Sequence, residues 1–324
     1  MKNTVRQIAQ YLSCCAAVCL AGVSFAQPAN WPVKPLRIVV PYAPGGPPDV
    51  VIRLISPKLT EILGQPIVVE NRAGAGGNIG TVAVAKSPPD GYTALVTSSG
   101  FVVNINFPDA GYSERDFAAV TVVAAQPNVI VVHPNVPANT LAEFVAYAKG
   151  EKLAFSSPGS GTTPHLTGEN VFNIVGRLGL PAAHFRGAGP AAAAVVSGQP
   201  PVGSFALTAP LPFIKSGRLR ALAVSSAQRI AALPQIPTLA ESGYPNIVDY
   251  TWVGIFLPAG TPAPIVQKLY EAVQRVLQNP EVKERLAALA FDLIAEPPAR
   301  TTEFVKTEIA KWGAVVRETG AKPD

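Results

Sequence analysis

Four short stretches of this 324-residue chain repeat one chemical pattern. A strand-like run enters a loop of small residues, and the loop opens a helix. The stretches are Ala43–Asp49 (APGGPPD), Arg72–Asn78 (RAGAGGN), Ser156–Thr163 (SSPGSGTT) and Arg186–Pro190 (RGAGP). Such a junction aims backbone N–H groups and the positive end of a helix dipole at one point. In an open α/β sheet that edge is where ligands bind. One such loop is as well explained by a plain turn; four, in two separate α/β blocks, point to a site for an anion. Gly45 and Gly46 permit close backbone approach. Pro47 and Pro48 have no N–H, so amides from this loop must come from Ala43, Gly45, Gly46 or Asp49. Asp49 itself has three readings: a first-turn acid facing the dipole, a partner for a ligand amine or hydroxyl, or a side chain that orients the loop.

Other chemistries fit less well. GAGGNIG places Ile79 where a dinucleotide fingerprint needs its third glycine, and no Walker-type loop occurs. Pro158 stands where a nucleophile elbow would need glycine. Ser160 and His165 still allow an exported Ser–His hydrolase as a remote alternative, although no orienting acid lies nearby in sequence. His133, His165 and His184 have no metal-ligand spacing, and no metal or cofactor is expected. His165 near a helix start reads as a cap, a core contact or a ligand hydrogen bond.

The elements that must position these loops alternate. Leu36–Val40, Ile67–Glu70 and Ala94–Thr97 read as strands, with helices over Asp49–Leu63 and Ile79–Ala85. Pro57 is expected to kink the first helix, whose apolar side is read as Val50, Leu54, Ile62 and Leu63. Val120–Val132 is a β-branched run that reads as broken at Gln126-Pro127-Asn128. The alternation then restarts with a helix capped by Thr140, a strand over Lys152–Ser156, helices over Pro164–Val175 and Ala191–Val196, and a strand over Leu219–Val224. Three amphipathic helices follow Thr261-Pro262. This is an α/β pattern with helices packed on sheets.

Composition bounds the class. Hydrophobic residues make up 48% and charged residues 15%, as in a globular chain. Lys2 and Arg6 precede an apolar run, Tyr11–Val23, and Ser24-Phe25-Ala26 supplies the small residues of a cleavage site. Residues 1–26 therefore read as a signal peptide cut after Ala26, with a retained anchor as the alternative, and the mature protein is expected in the periplasm. Cys14, Cys15 and Cys19 all lie in this leader. Without Lys2 and Arg6, 24 Lys and Arg face 21 Asp and Glu, so the net charge falls from +5 to +3. No basic cluster follows, so nucleic acid is not an expected partner.

The motifs, taken in order, resemble the Bug-type periplasmic solute-binding receptors of tripartite tricarboxylate transporters. They are Trp31-Pro32-x-Lys34-Pro35-x-Arg37-Ile38-Val39-Val40-Pro41, Ala43-Pro44-Gly45-Gly46-x-x-Asp49 and Val69-Glu70-Asn71-Arg72-x-Gly74-Ala75-Gly76-Gly77. Further along come Pro89-Asp90-Gly91-Tyr92-Thr93, Ser157-x-Gly159-x-Gly161-x-x-x-His165-Leu166 and Ala221-Leu222-Ala223-Val224. Pro237-Thr238-x-x-Glu241-x-Gly243 and Pro258-Ala259-Gly260-Thr261-Pro262 complete the set. The resemblance implies a two-lobed, type II-like Venus-flytrap fold with a discontinuous first lobe: 27–124 plus 249–324, with 125–248 as the second lobe and the C-terminal helices on the first. It implies a monomeric, non-catalytic receptor for a small carboxylate that docks on membrane permease subunits; presentation of the ligand to a sensor kinase is the alternative. The implied ligand-binding residues are Tyr42, Ala43, Gly45, Gly46, Asp49, Gly76, Gly77, Asn78, Ser98, Ser157, Ser160, Thr162, Thr163, His165, Arg186, Gly187, Ala188 and Ser204.

The chain also departs from that pattern. Phe185-Arg186-Gly187 replaces a common Tyr-Lys-Gly, Ala194 stands where relatives often carry Asp, and Ser197–Pro201 replaces Gly-Gly-x-Val-Asp. A less polar distal pocket follows, and with it a monocarboxylate or a ligand with an apolar or aromatic far end.

Overall fold

The computed structural model describes residues 30–319. The chain divides into two compact units, Met1–Val33 and Lys34–Asp324. Of the first, only residues 30–33 are described, as a turn and the start of a bend; the expected signal peptide lies outside the described residues. Everything below concerns the second unit.

Its strands are β1 (Leu36–Val40), β2 (Ile67–Asn71), β3 (Thr93–Ser98), β4 (Phe117–Val132), β5 (Phe155–Ser157), β6 (Ala182–His184), β7 (Val202–Ala206), β8 (Arg220–Val224), β9 (Tyr250–Pro258) and β10 (Asp292–Leu293). One path of neighbours runs β2-β1-β3-β9-β4-β7-β5-β6, with β8 and β10 also paired to β4. β1 pairs in parallel with β2 and β3, and β5 with β6 and β7. Each parallel group is a β–α–β block, as the alternation predicts.

β4 joins the blocks. Its first part, from Phe117 to Pro127, pairs antiparallel with β9, and its last part, Asn128–Val132, pairs antiparallel with β7. The expected break at Gln126-Pro127-Asn128 is absent; the strand is continuous over 16 residues and changes partner there. Proline is tolerated because its missing N–H falls where one pairing ends, and its carbonyl accepts from the Leu207 amide at 3.2 Å. Val129, Ile130, Val131 and Val132 are all at most 1% exposed, since helices pack on both faces of the sheet there. That explains an apolar run without alternation.

The helices are α1 (Pro47–Leu63), α2 (Asn78–Ala85), α3 (Gly100–Asn104), α4 (Leu141–Ala148), α5 (Thr163–Gly168), α6 (Ala188–Val196), α7 (Leu211–Lys215), α8 (Ala263–Gln278), α9 (Pro280–Ala288) and α10 (Pro298–Thr319). α5 widens into a π-helical stretch, Glu169–Val175. α1 starts at Gly46 with prolines at its first two positions and ends at Gly64, whose φ of 68° and N–H to the Thr60 carbonyl close the last turn. It stays one element through Pro57. Its buried side is Val51, Ile52, Ile55, Leu59 and Leu63, while Ile62 is exposed. Packing against the sheet and α8 selects a stripe one step from the expected one.

The core falls into clusters that follow the sheets. Phe101, Tyr112, Phe117, Trp252, Phe256 and Trp312 gather in the first block. Phe144, Phe155 and Phe172 lie on one side of the second sheet, with Phe205 and Leu211 on the other. α10 is locked down by Glu308, whose Oε2 accepts from the indole N–H of both Trp252 and Trp312 at 3.0 Å each. No helix among the described residues is long and apolar enough to cross a membrane.

A closed cleft between four glycine-rich loops

The four loops converge in pairs across the line where β4 changes sheet. The first pair is Ala43–Gly46 with Arg186–Gly189. Here the Ala43 amide donates to the Arg186 carbonyl at 2.8 Å. A methyl group added at Gly187, where φ is 152°, would lie 2.9 Å from the Ala43 nitrogen. The second pair is Gly74–Gly77 with Gly159–Gly161. Gly76 has φ 59°, and a β-carbon there would overlap the Ser160 carbonyl oxygen. Glycine is required at both places by conformation and by the approach of another backbone.

Between the pairs lies a cavity of about 30 Å³. Tyr42, Gly46, Pro47, Pro48 and Ser98 line it from the first block, Pro158, Thr162, Pro164, Ala188 and Ala206 from the second, and Thr251 from β9. None of these residues carries a charge. The space holds one small group, so any ligand of several heavy atoms needs the pairs to part. Larger grooves, such as one of about 440 Å³ along Ser226–Ala232 and Ala287–Asp292, lie away from the loops.

Hydrogen bonds decide what each expected residue is doing. Asp49 is buried and accepts from the Gly45 amide at 3.0 Å, Arg53 Nε at 2.8 Å and Asn71 Nδ2 at 2.9 Å. Its carboxylate is spent on shaping the loop. With the Ala43 and Gly45 amides both engaged, Gly46 is the loop residue that remains beside the cavity. Tyr42 Oη meets Ser98 Oγ at 3.1 Å and Thr97 Oγ1 at 3.5 Å. Burial pushes its phenol up, against these hydrogen bonds, so Tyr42 keeps its proton and can donate at neutral pH.

Gly76 and Gly77 make the turn under Tyr42, and the Gly76 carbonyl accepts from Asn104 Nδ2 at 3.0 Å. Asn78 opens α2, and its Oδ1 is buried without a hydrogen-bond partner among the described residues. Ser160 is buried beside Gly76. Thr162 caps α5, and Thr163 Oγ1 reaches Ser99 Oγ at 2.7 Å and Thr251 Oγ1 at 2.8 Å.

Of the expected residues, Tyr42, Gly46, Ser98, Thr162 and Ala188 line the cavity and the rest do not; Ser157, His165, Arg186 and Ser204 are among those off its wall. Ser157 Oγ pairs with His184 Nδ1 at 2.7 Å. His165 Nδ1 accepts from the Gly161 amide at 3.3 Å, and its Nε2 lies 3.5 Å from Glu169 Oε1. The Arg186 side chain is exposed, and only its carbonyl faces the first block. Ser204 is fully buried in β7, and its Oγ has no partner among the described residues. His165 is thus held on one ring nitrogen by the Gly161 amide and on the other by Glu169, a carboxylate one helical turn along.

Sequence reasoning missed Thr251, Ala206 and the prolines that face the cavity. The sequence marks Pro47 and Pro48 as positions without an amide to donate; the tertiary fold makes them wall. Thr251 sits opposite Gln126 in the β4–β9 ladder, a long-range pairing that leaves no local signal.

Known proteins are similar to this chain in sequence and fold. Residues 51–321 match the model of the tripartite tricarboxylate transporter family receptor. Protein BugT of Bordetella pertussis is 36% identical over 312 residues, covering 94% of this chain and 95% of that protein. Among solved structures, the periplasmic binding protein BugD superposes with a TM-score of 0.87 at 31% identity, covering 90% of this chain and 99% of that one. Rpa4515 of R. palustris, solved with adipate, gives 0.86 at 31%, covering 91% and 100%. MatC of Rhodopseudomonas palustris, solved with bound malate, gives 0.82 at 32%, covering 88% and 100%. These likenesses show the two-lobed periplasmic-binding-protein fold, and the chain belongs to the tripartite tricarboxylate transporter receptor family.

Proposed function

We propose that this protein is a periplasmic receptor that captures a small carboxylate between its two lobes and hands it to the membrane subunits of a tripartite tricarboxylate-type transporter, without chemical turnover. The observation that carries the reading is the uncharged cavity enclosed by paired glycine-rich loops. Backbone amides, the Tyr42 hydroxyl and ordered water would hold a carboxylate there, and no buried cation would be needed. Adipate and malate in the solved relatives support the ligand class. Closure energy comes from contacts made only in the closed form, of which Ala43–Arg186 is one.

The lobes are taken as 27–124 plus 249–324 and 125–248, which agrees with the change of β4 from β9 to β7 after Pro127. The hydrocarbon of Pro47, Pro48, Pro158, Pro164, Ala188 and Ala206 favours a ligand with an apolar part. A thermal-shift screen of the protein without residues 1–26, against mono-, di- and tricarboxylates and aromatic acids, tests this. At a hundred times its Kd a ligand adds about 2.7 kcal/mol. A clear preference for citrate-like tricarboxylates contradicts the apolar-end reading.

A further inference from the structure

Behind the cavity, where both crossing strands meet, a buried polar network ties the two sheets together. Ser99 Oγ, just after β3, lies 2.7 Å from Thr163 Oγ1 at the start of α5. Thr163 Oγ1 lies 2.8 Å from Thr251 Oγ1 on β9. Thr251 Oγ1 lies 2.7 Å from Asn128 Oδ1 on β4. Asn128 Nδ2 then reaches Asp249 Oδ1 at 2.7 Å and Thr167 Oγ1 at 3.0 Å. Thr167 Oγ1 closes the loop, at 2.8 Å from Asp249 Oδ2 and 2.9 Å from the Thr163 carbonyl.

We propose that Asp249 is a positioning residue that carries a proton in this closed form, and that this proton completes a one-way relay of hydrogen bonds holding the first turn of α5 against the opposite sheet. The argument is a count of hydrogens. Thr167 has one hydroxyl proton but faces two oxygens that are both acceptors if Asp249 is ionised. One oxygen–oxygen contact under 3 Å would then have no hydrogen between its atoms, a costly arrangement in a dry interior. Ser225 does not help, because its hydroxyl proton goes to the Asp249 main-chain carbonyl at 2.6 Å.

With the proton on Asp249 Oδ2, every group is used once. Asp249 donates to Thr167, Thr167 to the Thr163 carbonyl, and Asn128 to both Asp249 Oδ1 and Thr167. On the other branch Ser99 donates to Thr163, Thr163 to Thr251, and Thr251 to Asn128 Oδ1. Thr162, whose side chain lines the cavity, sits immediately before the turn held this way.

The surroundings favour the neutral acid. Burial pushes the Asp249 carboxyl up; hydrogen bonds from Thr167 and Asn128 and the field of Lys311 oppose this without outweighing it. Lys311 on α10 lies 3.6 Å from Glu308, which is itself held by two indoles. On α5 and its extension, His165 and Glu169 pair with each other. β4 brings no charged residue between Gln126 and Ile130, and β9 brings Tyr250, whose Oη accepts from the Ala227 amide.

The sign follows from the raised value. A neutral acid favoured by folding contributes stability that is complete below the unfolded value near 3.8 and is lost as pH rises through the folded value. Equilibrium unfolding of the ligand-free protein and of Asp249→Asn at pH 5 and pH 8 reads this directly. The carboxamide can donate to Thr167 and accept from Asn128, so the variant keeps the relay but cannot titrate. From pH 5 to pH 8 the wild type should lose Tm relative to the variant by about 3 °C or more; parallel profiles overturn the proposal. The wild type alone gives a second readout: an infrared carbonyl band of a protonated carboxyl at pH 7, retained in Glu308→Gln. Absence of that band overturns it whether or not Asp249→Asn folds.

Discussion

The Ala43 amide donates to the Arg186 carbonyl at 2.8 Å, joining a loop that follows β1 to a loop that follows β6. These loops follow strands of different sheets, so on the proposed function the bond is one that parting of the lobes would break. The close approach of Gly76 to Ser160 is a second such contact, and on the proposed function the energy of these contacts would set how strongly a ligand is retained.

Blocking one contact separates closure from folding. In Gly76→Ala the new methyl overlaps the Ser160 carbonyl at a φ of 59°. Both blocks keep their own cores, so the variant should fold, yet bind a carboxylate at least tenfold more weakly, a loss of about 1.4 kcal/mol or more. Calorimetric affinity beside a circular-dichroism melt checks this; unchanged affinity contradicts it.

Asp49 is predicted to be a scaffold residue. Asp49→Ala leaves the Gly45 amide and the Asn71 amide without the partner they have here. The expected loss is about 2 kcal/mol in chemical denaturation. Asp49→Asn can still accept these bonds and should recover much of it. A variant as stable as wild type but unable to bind would instead make Asp49 a ligand residue.

Glu308 holds two indoles at once. Glu308→Ala buries two unpaired N–H donors and should cost about 3 kcal/mol. The Trp252 and Trp312 emission should shift as α10 loosens, measured by fluorescence during urea unfolding.

Glu169 predicts an acid-side effect opposite in sign to that of Asp249. Burial raises its carboxyl, but hydrogen bonds from His165 and Asn173 and the nearby imidazoles outweigh it, so the net shift is downward. Its contribution is present above the usual value of 4.5 and is lost as pH falls through the lowered one. Glu169→Gln should therefore lose less stability than wild type between pH 5 and pH 3, read as unfolding midpoints.

Sequence patterns located the loops well because glycine, proline and helix starts are local signals. The strands of both blocks and the three C-terminal helices were legible for the same reason. Partners that come from far away were not. Gln126-Pro127-Asn128 looked like a break because local rules disfavour proline in a strand, whereas the chain is exchanging β9 for β7 there. Asp49 and Arg186 looked equally able to meet a ligand; only the bonds from Gly45, Arg53 and Asn71, and the exposure of the Arg186 side chain, separate a scaffold role from a cleft role. The Asp249 network joins residues more than 100 positions apart, and nothing near Asp249 in sequence announces it.

The central claim is tested most directly by isothermal titration of the protein lacking residues 1–26 with adipate, malate, citrate and an aromatic monocarboxylate, with the mixture analysed afterwards for conversion. Saturable one-to-one binding of a small carboxylate, weakened in Gly76→Ala and with the ligand recovered intact, is the predicted result. No binding across the set, or conversion of a bound acid to product, contradicts it.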